Sequence, residues 1–217
     1  MAIIVLAQTK GGVGKTTLAV NLAIERTVRA RHDVLLVDAD EQGTAADFSA
    51  LRAEMHGATG YTAVQLAGPA VRNQVLAMKA KYEDIIIDAG GRDTAGLRAA
   101  LTVADVAVVP FQPRSFDVWT LGKVAGLIAE ARGFNDALRA VAIINCADPN
   151  GQGQDNRDAA EVLADNPEIR FLATAITRRK AFPNAAAQGL SVLEVPHPDS
   201  KACQELKVLA DHLFVSQ

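Results

Sequence analysis

The sequence is poor in the residues that build disulfide frameworks, zinc sites and membrane spans. Only two cysteines, Cys146 and Cys203, occur in 217 residues, and they lack the spacing of a zinc site. Aromatic residues make up 5% of the chain, and no apolar run approaches the roughly 20 residues that a membrane-spanning helix needs. These shortages exclude a disulfide-rich secreted domain and a helical membrane protein, and they favour a reducing cytoplasm.

Neither positive nor negative charge dominates the sequence. The formal net charge is −3, so contact with nucleic acid has to come from a local basic patch. The first apolar run starts at the second residue, so we expect no signal peptide. Hydrophobic residues make up 49% of the chain, enough for one sizeable core, and we expect a single domain over residues 1–217.

Short apolar runs alternate with stretches of helical periodicity. The runs cover residues 2–7, 34–37, 85–87, 106–109, 141–144 and 171–176. The helical stretches cover residues 16–28, 44–55, 115–131 and 200–214, and Ser115 or Asp117 is expected to cap the third. Runs without polar alternation are typical of strands buried on both faces. The pattern predicts an α/β fold, a doubly wound and mostly parallel sheet with helices on both faces.

A glycine-rich segment joins the first predicted strand to the first predicted helix. It reads K-G-G-V-G-K-T-T over residues 10–17, where glycines let backbone N–H groups turn towards a polyphosphate. In a phosphate-binding loop, Lys15 reaches the terminal phosphates and the Thr16 hydroxyl binds their magnesium. The strict motif has glycine where this chain has Thr9, and Lys10 is an additional lysine at the loop mouth. The alternative is a glycine-rich turn with incidental lysines.

The next two predicted strands end in carboxylates. Asp38 and Asp40 follow the second run, and Asp88 follows the third, with Gly90 and Gly91 behind it. Carboxylates beside a polyphosphate are favourable when magnesium lies between them or when one of them handles a water molecule. Asp88 therefore resembles a magnesium-holding Walker B residue. For Asp38 and Asp40, an acidic turn that caps the helix at 44–55 remains the alternative.

These motifs together resemble the deviant Walker A motif of the ParA/MinD partition and positioning ATPases, over nearly the whole chain. The resemblance implies ATP and Mg²⁺ as cofactors and an ATPase that forms a homodimer on ATP. It implies catalytic roles for Lys15 in cis, for Lys10 across the dimer interface, and for Asp40, which orients the attacking water. The implied nucleotide-binding residues are Gly11, Gly12, Val13, Gly14, Lys15, Thr16, Thr17 and Asn145, and the implied metal residues are Thr16, Asp38 and Asp88.

Two features further along the chain extend the resemblance. Asn145 and Asp148 have the N-x-x-D spacing of a guanine reader, but the family favours adenine, with Asn145 at its edge. Arg178, Arg179 and Lys180 form the densest cluster of cations, for which contact with the DNA backbone and a solvated helix start are both open.

The chain most resembles the short plasmid-partition (ParF-like) type, since no helix-turn-helix segment precedes the first strand. That type implies non-specific DNA binding, a ParB-like or small centromere-binding adaptor that stimulates hydrolysis, and a cytoplasmic, nucleoid-associated protein. A MinD-like protein is an alternative, although Glu205 and Asp211 interrupt the basic side of the last helix and disfavour a membrane. Carboxysome or chemoreceptor positioning remains open, as does a small-molecule enzyme such as a dethiobiotin synthetase.

We predict that Lys10→Ala spares ATP binding to the monomer and prevents ATP-dependent dimerisation, because the implied role of Lys10 lies in the partner's site. Calorimetry measures the binding, and light scattering with ATP and Mg²⁺ measures the mass. An undiminished dimer in the variant contradicts the trans role.

Overall fold

Strands and helices alternate along the computed structural model, which describes residues 1–113, 118–149 and 154–214. The strands are Ala2–Leu6 (β1), Val34–Ala39 (β2), Thr62–Gln65 (β3), Asp84–Ala89 (β4), Val106–Phe111 (β5), Arg139–Ala147 (β6) and Arg170–Thr177 (β7). The α-helices are Lys15–Glu25 (α1), Thr44–His56 (α2), Ala70–Met78 (α3), Ala95–Leu101 (α4), Val118–Arg132 (α5), Gln154–Ala164 (α6), Ala181–Ala186 (α7) and Ser200–Phe214 (α8). A π-helical turn, Arg26–Ala30, continues α1, and a 3₁₀ turn, Lys79–Lys81, continues α3.

The strands form a seven-stranded sheet in the order β3-β2-β4-β1-β5-β6-β7, and each neighbouring pair is parallel. Helices cover both faces. Val71, Leu97, Val124 and Ala159, from α3 to α6, pack on one face. Leu18, Ala45, Phe182 and Leu206, from α1, α2, α7 and α8, pack on the other. This arrangement confirms the predicted doubly wound fold, because apolar strands without alternation need cover on both sides.

The strand order brings the polar strand ends to one edge of the sheet. β1 lies between β4 and β5, so the direction in which the chain adds strands reverses there. Ligands of open α/β sheets bind beyond the carboxyl ends of strands at such a reversal. Asp88 of β4 is in register with Leu6 of β1 on one side and with Asp38 of β2 on the other. The phosphate loop, which follows β1, is thus placed beside both carboxylates.

Several boundaries differ from those expected. β3 was not predicted, since its four residues T-A-V-Q are mostly exposed at the sheet edge and carry no apolar run. The α-helical part of α1 ends at Glu25, before the predicted end at residue 28. β6 extends to Ala147, beyond the apolar run at 141–144, so Asn145 lies inside the strand. The expected capping residues Ser115 and Asp117 lie outside the described residues.

The C-terminal segment is joined to helices α1 and α2 by buried and partly buried polar contacts. Arg52 of α2 donates to both carboxylate oxygens of Glu194, at 2.9 and 2.7 Å. Asn21 of α1 accepts from the Ser191 hydroxyl at 2.9 Å and from the Val192 N–H at 3.2 Å. The apolar face of α8 is buried against the sheet. Among the described helices, none combines the length and the apolar character needed to cross a membrane.

Candidate nucleotide site

The loop between β1 and α1 has the backbone of a phosphate-binding loop. Gly12 and Gly14 have φ angles of 73° and 91°, in the left-handed region that side chains rarely adopt. Gly14 is the N-cap of α1, and no side chain caps that end of the helix. The first N–H groups of α1 therefore remain available at the positive end of its dipole, which is a ready anion site.

Lys15 lies between the loop and the carboxylates. Its side chain is buried, and Nζ donates to the Lys10 carbonyl oxygen at 3.3 Å. Burial lowers the pKa of Lys15, and the charges of Asp88 and Asp40 oppose that shift. An ammonium in this position supplies a concentrated positive charge beside the loop. The structure thus places Lys15 where the motif predicts it.

Thr16 and Asp88 form the pair that a magnesium site requires. The Thr16 hydroxyl donates to Asp88 Oδ2 at 2.6 Å, while Asp88 Oδ1 is buried without a hydrogen-bond partner. Burial raises the pKa of Asp88 to about 7; the charges of Asp38 and Asp40 add to the shift, and the Thr16 bond and Lys15 oppose it. An unpaired buried carboxylate oxygen beside a hydroxyl suits Mg²⁺, which prefers oxygen ligands.

Protein groups alone do not complete a metal cage at this place. Among the described residues, no three His, Cys, Asp or Glu side chains are grouped so as to hold an ion. Mg²⁺ commonly keeps several waters and binds through one or two protein oxygens together with substrate phosphates. Thr16 and Asp88 fit that mode of binding, in which the nucleotide supplies further ligands.

Asp38 is engaged by the backbone of its own loop. Oδ1 accepts from the Asp40 N–H at 3.1 Å, and Oδ2 accepts from the Ala46 N–H at 2.9 Å, in the first turn of α2. Burial raises the pKa of Asp38, and these backbone hydrogen bonds oppose the shift. The helix-capping alternative therefore describes the contacts of Asp38, although the residue is buried and not solvated. Its contribution to a metal shell stays a prediction.

Asp40 projects from the loop after β2 towards the glycines after β4. Oδ1 accepts from the Gln42 N–H at 3.1 Å. A Cβ at Gly90 would lie 3.3 Å from that oxygen, and a Cβ at Gly91 would lie 3.0 Å from Gly11 Cα. The lack of a side chain at both glycines therefore permits the close approach of the β4 loop to Asp40 and to the phosphate loop.

An open cavity of about 820 Å³ lies over these groups. Of the predicted nucleotide residues, it is lined by Gly11, Gly12, Gly14, Lys15, Thr16 and Thr17, and Asp40 lines it as well. The segments 65–68 and 94–96 also line the cavity and were not predicted, because they contain no recognisable motif.

Val13 and Asn145 do not line this cavity. The Val13 side chain is buried in the core. Asn145 is 4% exposed, and its Nδ2 donates to the Val13 carbonyl oxygen at 2.6 Å, behind the loop. The structure thus places Asn145 as a support of the loop, and its contact with a base stays a prediction.

The cation cluster after β7 is divided by ion pairing. Arg178 and Lys180 are exposed. Arg179 is 20% exposed and pairs with Glu205 at 2.9 Å and with Asp199 at 3.7 Å. Because its charge is already paired, Arg179 is a poor candidate for DNA contact, and the predicted three-residue patch reduces to Arg178 and Lys180.

Comparison with known proteins agrees with this geometry. The family model of the CobQ/CobB/MinD/ParA nucleotide binding domain matches residues 4–192. The chain is 26% identical to maintenance of carboxysome distribution protein A of Halothiobacillus neapolitanus, over 97% of this chain and 95% of that protein. It is 33% identical to the chromosome-partitioning ATPase Soj of Thermus thermophilus, over 65% of this chain and 67% of that protein. A solved ATP complex of a Cyanothece McdA variant has a similar fold, with a TM-score of 0.78 at 17% identity, covering 100% and 98% of the two chains.

The raised pKa of Asp88 predicts a pH-dependent stability of the nucleotide-free protein. An aspartate in the unfolded chain has a pKa near 3.9, whereas Asp88 has a folded pKa of about 7. The folded state therefore loses stability as pH rises from about 4 through about 7, by at most about 4 kcal/mol. Asp88→Asn removes this loss, and we expect the variant to exceed the parent at pH 8 by roughly 1–4 kcal/mol.

Urea unfolding at pH 5 and pH 8, with a metal chelator present, measures the difference. Asp93→Asn is the matched control, since Asp93 is exposed and its pKa is lowered by Arg98, so it titrates below this range. Parallel pH profiles for Asp88→Asn and the parent contradict the prediction.

Proposed function

The chain belongs to the CobQ/CobB/MinD/ParA nucleotide-binding family, and from that premise we propose that it is an ATPase of intracellular partition or positioning. The proposal is that it binds ATP with Mg²⁺, dimerises face to face, and hydrolyses ATP slowly until a partner stimulates it. One observation carries it: Lys15 and Thr16 line an open cavity together with the phosphate loop, and Thr16 donates to the buried Asp88, whose other oxygen is unpaired.

Binding and chemistry follow from charge and position. The loop N–H groups and Lys15 bind the phosphate oxygens, which offsets the burial of that lysine. Thr16 and Asp88 would hold magnesium, which would supply positive charge next to the phosphates of the nucleotide. Asp40 orients a water molecule, whose oxygen attacks the terminal phosphorus while the bond to ADP breaks. Catalysis of this kind is electrostatic and positional.

Dimerisation is supported by the open form of the site. The cavity is bounded by segments 65–68 and 94–96 without a covering element among the described residues. Lys10, the second cation of the loop, is partly buried at the loop mouth. In the proposed dimer it contacts the phosphates that are bound by the partner subunit. Loss of the terminal phosphate would release the β4 loop at Gly90 and Gly91 and dissolve the dimer.

The cargo is proposed from the relatives. Similarity to a carboxysome distribution protein over 97% of this chain favours positioning of a protein assembly as strongly as similarity to Soj favours DNA partition. In both versions the protein is cytoplasmic and nucleoid-associated, with an adaptor on the cargo as stimulating partner. A MinD-like membrane role is disfavoured, because Leu206, Leu209 and Leu213 of α8 are covered by the sheet.

Asp40→Ala tests the catalytic assignment. The variant keeps its phosphate contacts, and we expect it to bind ATP and dimerise while hydrolysis falls about 10²-fold, a typical cost of losing a group that handles the reacting proton or water. Phosphate release with ATP and Mg²⁺ measures the rate. Asp47→Ala, which removes an exposed acid in the first turn of α2, is the control. Hydrolysis by Asp40→Ala at the parent rate excludes this role.

The DNA contact is tested by the exposed cations alone. Each neutralised phosphate contributes about −0.9 to the slope of log affinity against log salt. Arg178→Ala with Lys180→Ala should flatten the slope of the ATP dimer by up to about 3.6, that is 4 × 0.9 for four cations. Binding should weaken equally for two unrelated duplexes. Dimerisation should be unaffected.

Arg179→Ala is the matched control for this double variant. It removes a cation that is already paired with Glu205, so it should lower thermal stability and leave the slope unchanged. An unaltered slope in the double variant, or equal DNA binding with ATP and with ADP, moves the contact elsewhere.

A further inference from the structure

Two side-chain amides that do not line the cavity donate to the phosphate loop. Gln112, directly after β5, donates Nε2 to the Gly12 carbonyl oxygen at 2.6 Å. Asn145 of β6 donates Nδ2 to the Val13 carbonyl oxygen at 2.6 Å. Gln112 follows β5 and Asn145 lies in the neighbouring strand β6. The two amides bind two consecutive peptide groups of the loop.

A trans peptide turns its carbonyl and its N–H in opposite directions. The described residues contain no cis peptide bond. The Gly12 carbonyl faces Gln112, so the Val13 N–H of the same peptide group faces away from Gln112. The Val13 carbonyl faces Asn145, so the Gly14 N–H faces away from Asn145. Gly12 and Gly14 line the cavity, whereas Asn145 does not. The N–H groups that face away from the amides therefore face the cavity, where the phosphates are proposed to bind.

Asn145 lies directly before an irregularity in β6. The register with β7 shifts between Asn145 and Ala147, and Cys146 between them has a φ of 53°. A positive φ is uncommon outside glycine, and such backbone clusters at functional sites. The loop closes directly on this amide, because a Cβ at Gly14 would lie 2.3 Å from Asn145 Nδ2.

We propose that Gln112 and Asn145 are positioning residues, an amide clamp that fixes the peptide groups of the phosphate loop so that the Val13 and Gly14 N–H groups face the nucleotide phosphates. The clamp rests on the nucleotide site proposed above. Both donors are neutral, so they orient the loop without placing a carboxylate next to the phosphates. The fixed N–H dipoles then bind phosphate without first reorganising the backbone.

The clamp affects binding of the phosphates, whereas a base contact affects binding of the base. A residue that contacts adenine changes affinity for ATP but not for inorganic tripolyphosphate, which has no base. A residue that orients the loop changes both. Tripolyphosphate with Mg²⁺ therefore separates the two roles of Asn145.

Asn145→Ala and Gln112→Ala are titrated by calorimetry with MgATP and with magnesium tripolyphosphate. We expect each variant to bind both ligands about tenfold more weakly. The ¹⁵N-¹H resonances of Val13 and Gly14 should shift in the nucleotide-free variants. Gln112 is only partly buried, so its variant is expected to fold even if Asn145→Ala does not.

Asn135→Ala is the matched control. Its amide donates to the Leu101 and Ala104 carbonyls at 3.2 and 2.7 Å, before the start of β5 and so at the opposite edge of the sheet. It should lower thermal stability and leave both affinities unchanged. Weaker ATP binding with undiminished tripolyphosphate binding overturns the clamp and assigns Asn145 to the base. Undiminished binding of both ligands by both clamp variants also overturns it.

Lys15→Ala distinguishes failure of the clamp from failure of the site. If Lys15→Ala abolishes binding of both ligands while the clamp variants bind normally, only the clamp is wrong. If Lys15→Ala also binds both ligands normally, the nucleotide site itself is wrong.

Discussion

One buried ammonium shares the edge of the sheet with three carboxylates, and this imbalance of charge determines how the site works. Lys15 interacts with Asp88 and Asp40, while Asp38 and Asp40 raise the pKa of Asp88. Without a ligand, the cluster keeps an unpaired carboxylate oxygen in a buried place. Magnesium held by Thr16 and Asp88 would supply the positive charge that removes this cost, so the site suits a metal-bound polyphosphate.

The parallel sheet holds these charges together because their strands are adjacent. β2, β4 and β1 are neighbours, and Asp38 is in register with Asp88 across them. Loops then add what strands do not provide. Asp38 binds the loop that carries Asp40, and the glycines after β4 allow that loop and the phosphate loop to approach.

The central sheet and the core of the site could be predicted because they depend on local sequence. Apolar runs at 34–37 and 85–87 mark buried strands, and the residues that end them are Asp38 and Asp88. The strand β3 could not be predicted, since a short exposed edge strand has neither apolar run nor alternation. Its existence depends on pairing with β2.

The remaining differences also arise from tertiary contacts. Arg179 is paired by Glu205, 26 residues further along the chain, which no local pattern indicates. The amide of Asn145 donates to Val13, 132 residues earlier in the chain, a contact that no local pattern indicates. The charge of Arg179 indicated a DNA contact and the family resemblance implied a base contact for Asn145, whereas packing gives both residues a structural partner.

The central claim is that metal and triphosphate complete the site together. Thermal unfolding of the unmodified protein, with Mg²⁺ alone, with ATP and a chelator, and with ATP and Mg²⁺, tests it most directly. A ligand that binds only the folded state raises its stability by RT ln(1 + [L]/Kd). We predict that the midpoint rises more with both ligands than the sum of the two separate shifts. The account is contradicted if ATP with a chelator shifts the midpoint as much as ATP with Mg²⁺ does, or if ATP and Mg²⁺ together cause no shift.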